Sequence, residues 1–285
     1  MRLRKKRHDY RPPQAPSRCL DPAFFAPTVH KATDAWPDDL PGELYEIWKQ
    51  VPDAHKWVHY LARYAAAAAS LREQPIRMLE IGVYRGGSIE LWKRYLHPDS
   101  VIVGIDIDPD CRVYDRPADK VHVRIGDQSD GSFLREIVRD FGPFDFILDD
   151  GSHVSSLTIA SFNHLFLEGL KSPGLYLVED THTAYWRSHR DQRYSFMDLA
   201  KDLVDLMHSH YRERDSELYF RRGAPERAAS VTVPAICSAI ASIEFHDSIV
   251  LIHKRRRDSL PSTIHPADQA AAAGPGPAGA GTDLA

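Results

Sequence analysis

The stretch Leu79-Glu80-Ile81-Gly82-Val83-Tyr84-Arg85-Gly86-Gly87-Ser88 decides the fold. Its first residues end a β-rich apolar run from Met78 to Ile81, and Leu91, Trp92 and Tyr95 follow at helical spacing. Strand, glycine turn and helix together make a cradle for a small molecule. Glycines let the backbone approach a ligand closely, and a helix N-terminus offers unbonded N–H groups to a carboxylate or phosphate. The spacing is GxxxGG, not the GxGxxG of dinucleotide sites, which argues against a nicotinamide cofactor. Glu80, before the first glycine, would repel a pyrophosphate yet could accept a hydrogen bond from an α-ammonium group. An amino-acid-like ligand is the better match.

Outward from this unit, short apolar runs alternate with helical patterns. Strands are predicted at Met78 to Ile81, Val101 to Ile105, Val121 to Ile125, Phe144 to Leu148 and Leu175 to Val178. A late pair, Ile243 to His246 and Ile249 to His253, is joined at Asp247-Ser248 closely enough for a hairpin. Leu44, Ile47, Trp48 and Val51, then Trp57, Val58, Leu61 and Tyr64, predict helices leading into the sheet, and Phe196, Leu199, Leu203, Leu206 and Met207 predict one before the hairpin. The expected fold is α/β: a doubly wound, mostly parallel seven-stranded sheet with N-terminal helices.

Each of the first five strands ends in acid: Glu80, Asp106, Asp127, Asp149-Asp150 and Glu179-Asp180. Ligands of open parallel sheets bind at the carboxyl ends of the strands, so these acids line one crevice. The competing explanation is that they cap the following helices. Asp106 stands where ribose hydroxyls are held, for nicotinamide and adenosyl cofactors alike.

Composition bounds the rest. The 285 residues, with a formal net charge of −4, suffice for one catalytic domain, expected at 41–258. Residues 1–40 are basic and Pro-rich, 259–285 consist mostly of Ala, Pro, Gly and small polar residues, and both are expected to be flexible. No apolar run approaches the roughly 20 residues of a membrane span, and the basic start lacks the apolar segment of a signal peptide. Nucleic acid is not an expected partner. Cys19, Cys111 and Cys237 form no CxxC pair, which fits a reducing cytoplasm, and apolar helix faces make a homo-oligomer plausible.

With these residues in place the chain resembles class I methyltransferases of the macrolide and deoxysugar O-methyltransferase type, over roughly Trp57 to Lys254. The resemblance rests on LEIGVYRGGS, GIDI (Gly104 to Ile107), GDQSD (Gly126 to Asp130), LDDGSH (Leu148 to His153) and VEDTHTAYW (Val178 to Trp186). It implies an S-adenosyl-L-methionine cofactor, with Glu80 and Gly82 at its methionine end, Asp106 on its ribose, and Asp127 and Gln128 on its adenine side. Tyr84, Gly86, Ser88 and Asp149 are assigned to the same cofactor wall. It further implies Mg²⁺ or another hard divalent cation on Asp150, Glu179 and Asp180, with His153 as general base and a glycosylated small molecule as acceptor. The chemistry agrees: an all-oxygen cluster suits a hard cation, and histidine titrates near neutral pH. His182 either orients a carboxylate or simply packs, and Tyr185 and Trp186 could offer aromatic faces to the acceptor. A catechol-type methyltransferase, a cephalosporin-hydroxylase-type tailoring protein and a non-catalytic partner protein share the scaffold and remain alternatives.

Overall fold

A computed structural model of the protein describes residues 28–32 and 42–264. Most of the basic N-terminal segment, with Cys19, and the tail from 265 lie outside the described residues. The strands are β1 (Arg77–Ile81), β2 (Val101–Asp106), β3 (Val121–Ile125), β4 (Phe144–Asp149), β5 (Leu170–Val178), β6 (Ile240–His246) and β7 (Ile249–Lys254). They form one seven-stranded sheet in the order β3-β2-β1-β4-β5-β7-β6. The first five run parallel and the final hairpin pairs antiparallel with β5, as expected. β5 begins five residues before the predicted Leu175, because Leu170 pairs with Phe144 across an irregularity in the ladder.

Side chains alternate between the two faces of a strand, so each strand feeds two cores. Met78, Ile102, Phe146, Leu148, Leu175 and Leu177 pack beneath α1 (Glu43–Trp48), α2 (Val58–Ala68) and α3 (Gly87–Tyr95). Leu79, Val103, Ile147, Tyr176 and Val178 pack on the other face, with α4 (Gly131–Phe141), α5 (Ser155–Leu165) and α6 (Phe196–Met207). Two short helices follow, α7 (Ser209–Arg212) and α8 (Ala235–Ala239). A run of aromatic contacts, edge-on from Tyr60 to Tyr64, tilted from Tyr64 to Trp92 and edge-on from Trp92 to Phe146, ties the N-terminal helices to the sheet at centroid separations of 6.0, 5.4 and 5.3 Å.

Beyond residue 258 the chain stays bonded to the body, where the Thr263 N–H donates to the Phe220 carbonyl at 2.9 Å and the Thr263 carbonyl accepts from the Arg222 N–H at 3.0 Å. Among the described residues no helix is long and apolar enough to cross a membrane.

Candidate active site

Helix capping does not account for the strand-end acids. The helices after β1 and β4 start at Gly86 and Val154 with no side-chain cap, and α4 is capped by Asp130, not by Asp127. Asp106 instead holds the glycine turn: its carboxylate accepts from the N–H groups of Val83 (2.8 Å), Tyr84 (3.0 Å) and Asp108 (2.9 Å). Burial pushes its pKa up, but these backbone donors outweigh that and hold it low. Gly82, at φ +96°, lies so close to the next strand end that a Cβ would stand 2.2 Å from the Asp150 carbonyl oxygen. The turn and the β4 end are therefore in backbone contact, as the bonded pair Asp150 N–H to Ile81 carbonyl (2.9 Å) also requires.

Above this junction lies a cavity of about 420 Å³. Its wall includes Gly82, Tyr84, Ser88, Asp106, Asp127 and Gln128, together with Asp150, His153 and Asp180. Glu80 lies just under the wall, wholly buried, and neither carboxylate oxygen has a hydrogen-bond partner among the described residues. The Ser88 hydroxyl is likewise buried and unpartnered. Burial raises Glu80 to about 7, against the opposing pull of the Lys56 ammonium. Unsatisfied buried polar groups are costly, so a donor-bearing ligand here would relieve a standing penalty. An α-amino-acid head group fits that requirement. Gln128 joins two loops, accepting from the Ser152 N–H at 2.8 Å.

Asp149, expected on the cofactor wall, reaches the cavity only through Gln128, whose Nε2 donates to it at 3.4 Å. It does not line the cavity; its carboxylate accepts from Ser161 Oγ at 2.6 Å and Tyr176 Oη at 3.3 Å on the α5 side of the sheet. Burial lifts it to about 6. Strand alternation is the cause. Asp150 follows the face of Leu148 and the N-terminal helices, whereas Asp149 follows Ile147 onto the opposite face. Gly86 is also off the wall; at φ +71° it shapes the turn instead.

Asp150, His153 and Asp180 each offer an atom to one point, all within 4.8 Å of one another. His153 Nε2 is 3.8 Å from Asp150 Oδ1 and 3.7 Å from Asp180 Oδ2. Both His153 (φ 55°) and Asp180 (φ 53°) hold left-handed backbone conformations, uncommon outside glycine and kept only where surroundings dictate them. Tyr60 Oη donates to Asp180 Oδ1 at 2.7 Å and sits 2.6 Å from the Ser248 hydroxyl. The third predicted metal acid, Glu179, is not in this set. Its oxygens receive the ammonium of Lys56 at 2.9 and 3.1 Å, and the same ammonium bonds Asp150. Burial and Asp150 raise the Glu179 pKa, with Lys56 opposing.

His182 shares a hydrogen bond with Ser248 and packs edge-on against Trp57 (5.6 Å) and Trp186 (4.4 Å). It is thus wedged between two rings and tied to the turn that steadies Asp180. Tyr185 and Trp186 are nearly half exposed beside it, and so is Trp57. Lys56, Tyr60 and Ser248 were not singled out by the sequence, because a lone Lys, Tyr or Ser in a helix entry or hairpin carries no motif.

This sheet order, glycine turn and acid rim define a Rossmann-like class I methyltransferase fold. More particularly, the chain is 32% identical over 250 residues to the 8-demethyl-8-alpha-L-rhamnosyl tetracenomycin-C 2'-O-methyltransferase of Streptomyces olivaceus, covering 83% of this chain and 61% of that protein. It is 37% identical over 151 residues to the mycinamicin VI 2''-O-methyltransferase of Micromonospora griseorubida, covering 48% of this chain and 36% of the relative. Among solved structures it is similar to the MycE methyltransferase of mycinamycin biosynthesis, in complex with Mg, S-adenosylhomocysteine and mycinamycin VI, at a TM-score of 0.63 and 26% identity. That match covers 78% of this chain and 56% of MycE. No family model matches. The resemblance to sugar O-methyltransferases stands, and the chain spans between about a third and three fifths of the length of these curated relatives.

Proposed function

We propose that the chain is an S-adenosylmethionine-dependent O-methyltransferase acting on a sugar hydroxyl of a glycosylated natural product or glycolipid, assisted by Mg²⁺ or another hard divalent cation. The observation that carries this reading is the buried, unpartnered Glu80 carboxylate under a cavity whose wall also carries Asp150, His153 and Asp180. Relatives that methylate sugars, and a structural neighbour holding Mg and S-adenosylhomocysteine, support it.

Glu80 and Ser88 would hold the α-ammonium end of the cofactor, and Gly82 leaves the room for it. Asp106 has bonded three backbone donors and retains acceptor capacity for a ribose hydroxyl. Asp127 and Gln128 border the adenine side. Asp150 and Asp180 would hold the cation, with Glu179 reaching it only by leaving Lys56. The bound groups supply an electrophilic methyl and a Lewis acid that lowers the pKa of the acceptor hydroxyl. His153 Nε2 faces both carboxylates and would take the hydroxyl proton there. Trp57, Tyr185 and Trp186 would line the acceptor's approach and exclude water from it. Buried thiols at Cys111 and Cys237 accord with a cytoplasmic enzyme.

The test is calorimetric titration of S-adenosylmethionine and S-adenosylhomocysteine with Mg²⁺ and after chelation, followed by methyl-transfer assays on glycosylated acceptors. Micromolar binding is expected. His153→Ala should lower turnover by about 10²- to 10⁴-fold with cofactor affinity nearly intact, and Trp186→Ala should raise KM for the acceptor alone. Absence of binding by either cofactor form would refute the assignment.

A further inference from the structure

The ammonium of Lys56 is where a divalent cation would be expected to draw its ligands. Lys56 enters from the N-terminal layer, just before α2. The chain at Asp53 and Ala54 lies directly on the start of α3, so close that a Cβ on Gly87 would stand 2.1 Å from the Asp53 carbonyl carbon. Trp48 pins this crossing by donating to the Ala54 carbonyl at 2.7 Å. The Lys56 side chain is 2% exposed and lines the cavity, with its ammonium bonded to Asp150 and Glu179 and 5.9 Å from the centre of the Tyr64 ring. Glu80 is near enough to contribute to its field. Strand parity puts Glu80, Asp150 and Glu179 on the same face of neighbouring strands, and one lysine is enclosed among them.

Three carboxylates gathered without a cation would repel one another, and a buried acid with no partner is costly. A bound divalent ion relieves that repulsion, and so does Lys56, which bonds Asp150 and Glu179. We propose that Lys56 is a tethered counter-cation of the divalent-ion site, which holds Asp150 and Glu179 together in the ion-free protein and competes with the ion for their oxygens. Lys56 thereby sets the ion's affinity, and Glu179 joins the ion only as the ammonium gives it up. This role rests on the metal site proposed above. Lys56 is a positioning residue that acts through the carboxylates it holds.

The experiment is calorimetric titration of Mg²⁺ alone into the full chain, together with thermal melting before and after Mg²⁺ addition, for the wild type, Lys56→Met and Lys56→Arg. Lys56→Met is expected to bind Mg²⁺ at least about tenfold more tightly, because the site gains a net negative charge and loses a competitor. Its ion-free form should melt at a lower temperature and recover more on adding Mg²⁺ than the wild type does. Lys56→Arg, which keeps the charge, should stay near the wild-type affinity. Should Lys56→Met not fold without the ion, Lys56→Gln, uncharged but still able to donate to Glu179, replaces it. Wild-type binding with unchanged or weaker binding by the uncharged variants would overturn the role of Lys56 while leaving the metal site. No binding by any of the proteins would overturn both.

Discussion

At the scale of single residues, Glu80 is the group whose chemistry the rest of the site arranges. Its carboxyl is raised to about 7 from an ordinary 4.5, chiefly by burial. A raised acid contributes stability that is complete below its unfolded value and is lost as pH climbs through the folded one. The ligand-free protein is therefore expected to lose stability between about pH 4.5 and 7 on account of Glu80. An ammonium ligand needs the ionised form, so the affinity for S-adenosylhomocysteine should fall by about tenfold per pH unit below 7. Calorimetry across that range checks it, and Glu80→Gln should both weaken binding and flatten the dependence. A flat profile in the wild type would show that Glu80 does not meet the ammonium. Glu80 was legible in the sequence because it precedes a glycine turn. For the adjacent acids Asp149 and Asp150 the sequence was less legible, because strand parity, not adjacency, decides which one faces the cavity.

At the scale of elements, the parallel strands were legible because each is a short apolar run punctuated by acid or glycine. The early start of β5 was not, since Lys171, Ser172 and Pro173 interrupt the apolar pattern before Gly174. The aromatic connection before α6 depends on how that helix begins. Ser195 accepts from the Asp198 N–H at 3.2 Å while Asp198 accepts from the Ser195 N–H at 3.0 Å, a reciprocal cap. Ser195→Ala is expected to cost about 1 kcal/mol in chemical denaturation. Unchanged stability would mean that packing of Phe196, Ala200 and Leu203 alone fixes the helix start.

At the scale of the whole molecule, the sheet separates two helical layers with different duties. The α4 to α6 layer receives Asp149 and buries it against Ser161 and Tyr176; the α1 to α3 layer supplies Lys56 and Tyr60 to the acids of the site. The sequence showed the first helices as scaffolding only, because their polar contributions are single residues far from every motif. The composition of 1–40 predicts that limited trypsin digestion removes the basic N-terminal segment and leaves a fragment that retains residues 42–264, as intact-mass measurement would show. Resistance of the basic N-terminal segment would refute that expectation. Thr263 should survive in the fragment, being bonded to Phe220 and Arg222. The Ser248 turn has a further consequence. It meets Tyr60 across 188 positions of sequence and receives the Thr181 N–H at 3.0 Å. A chain emerging from the ribosome therefore presents its acids long before the turn that braces them, and it acquires a finished site only once the last hairpin has docked.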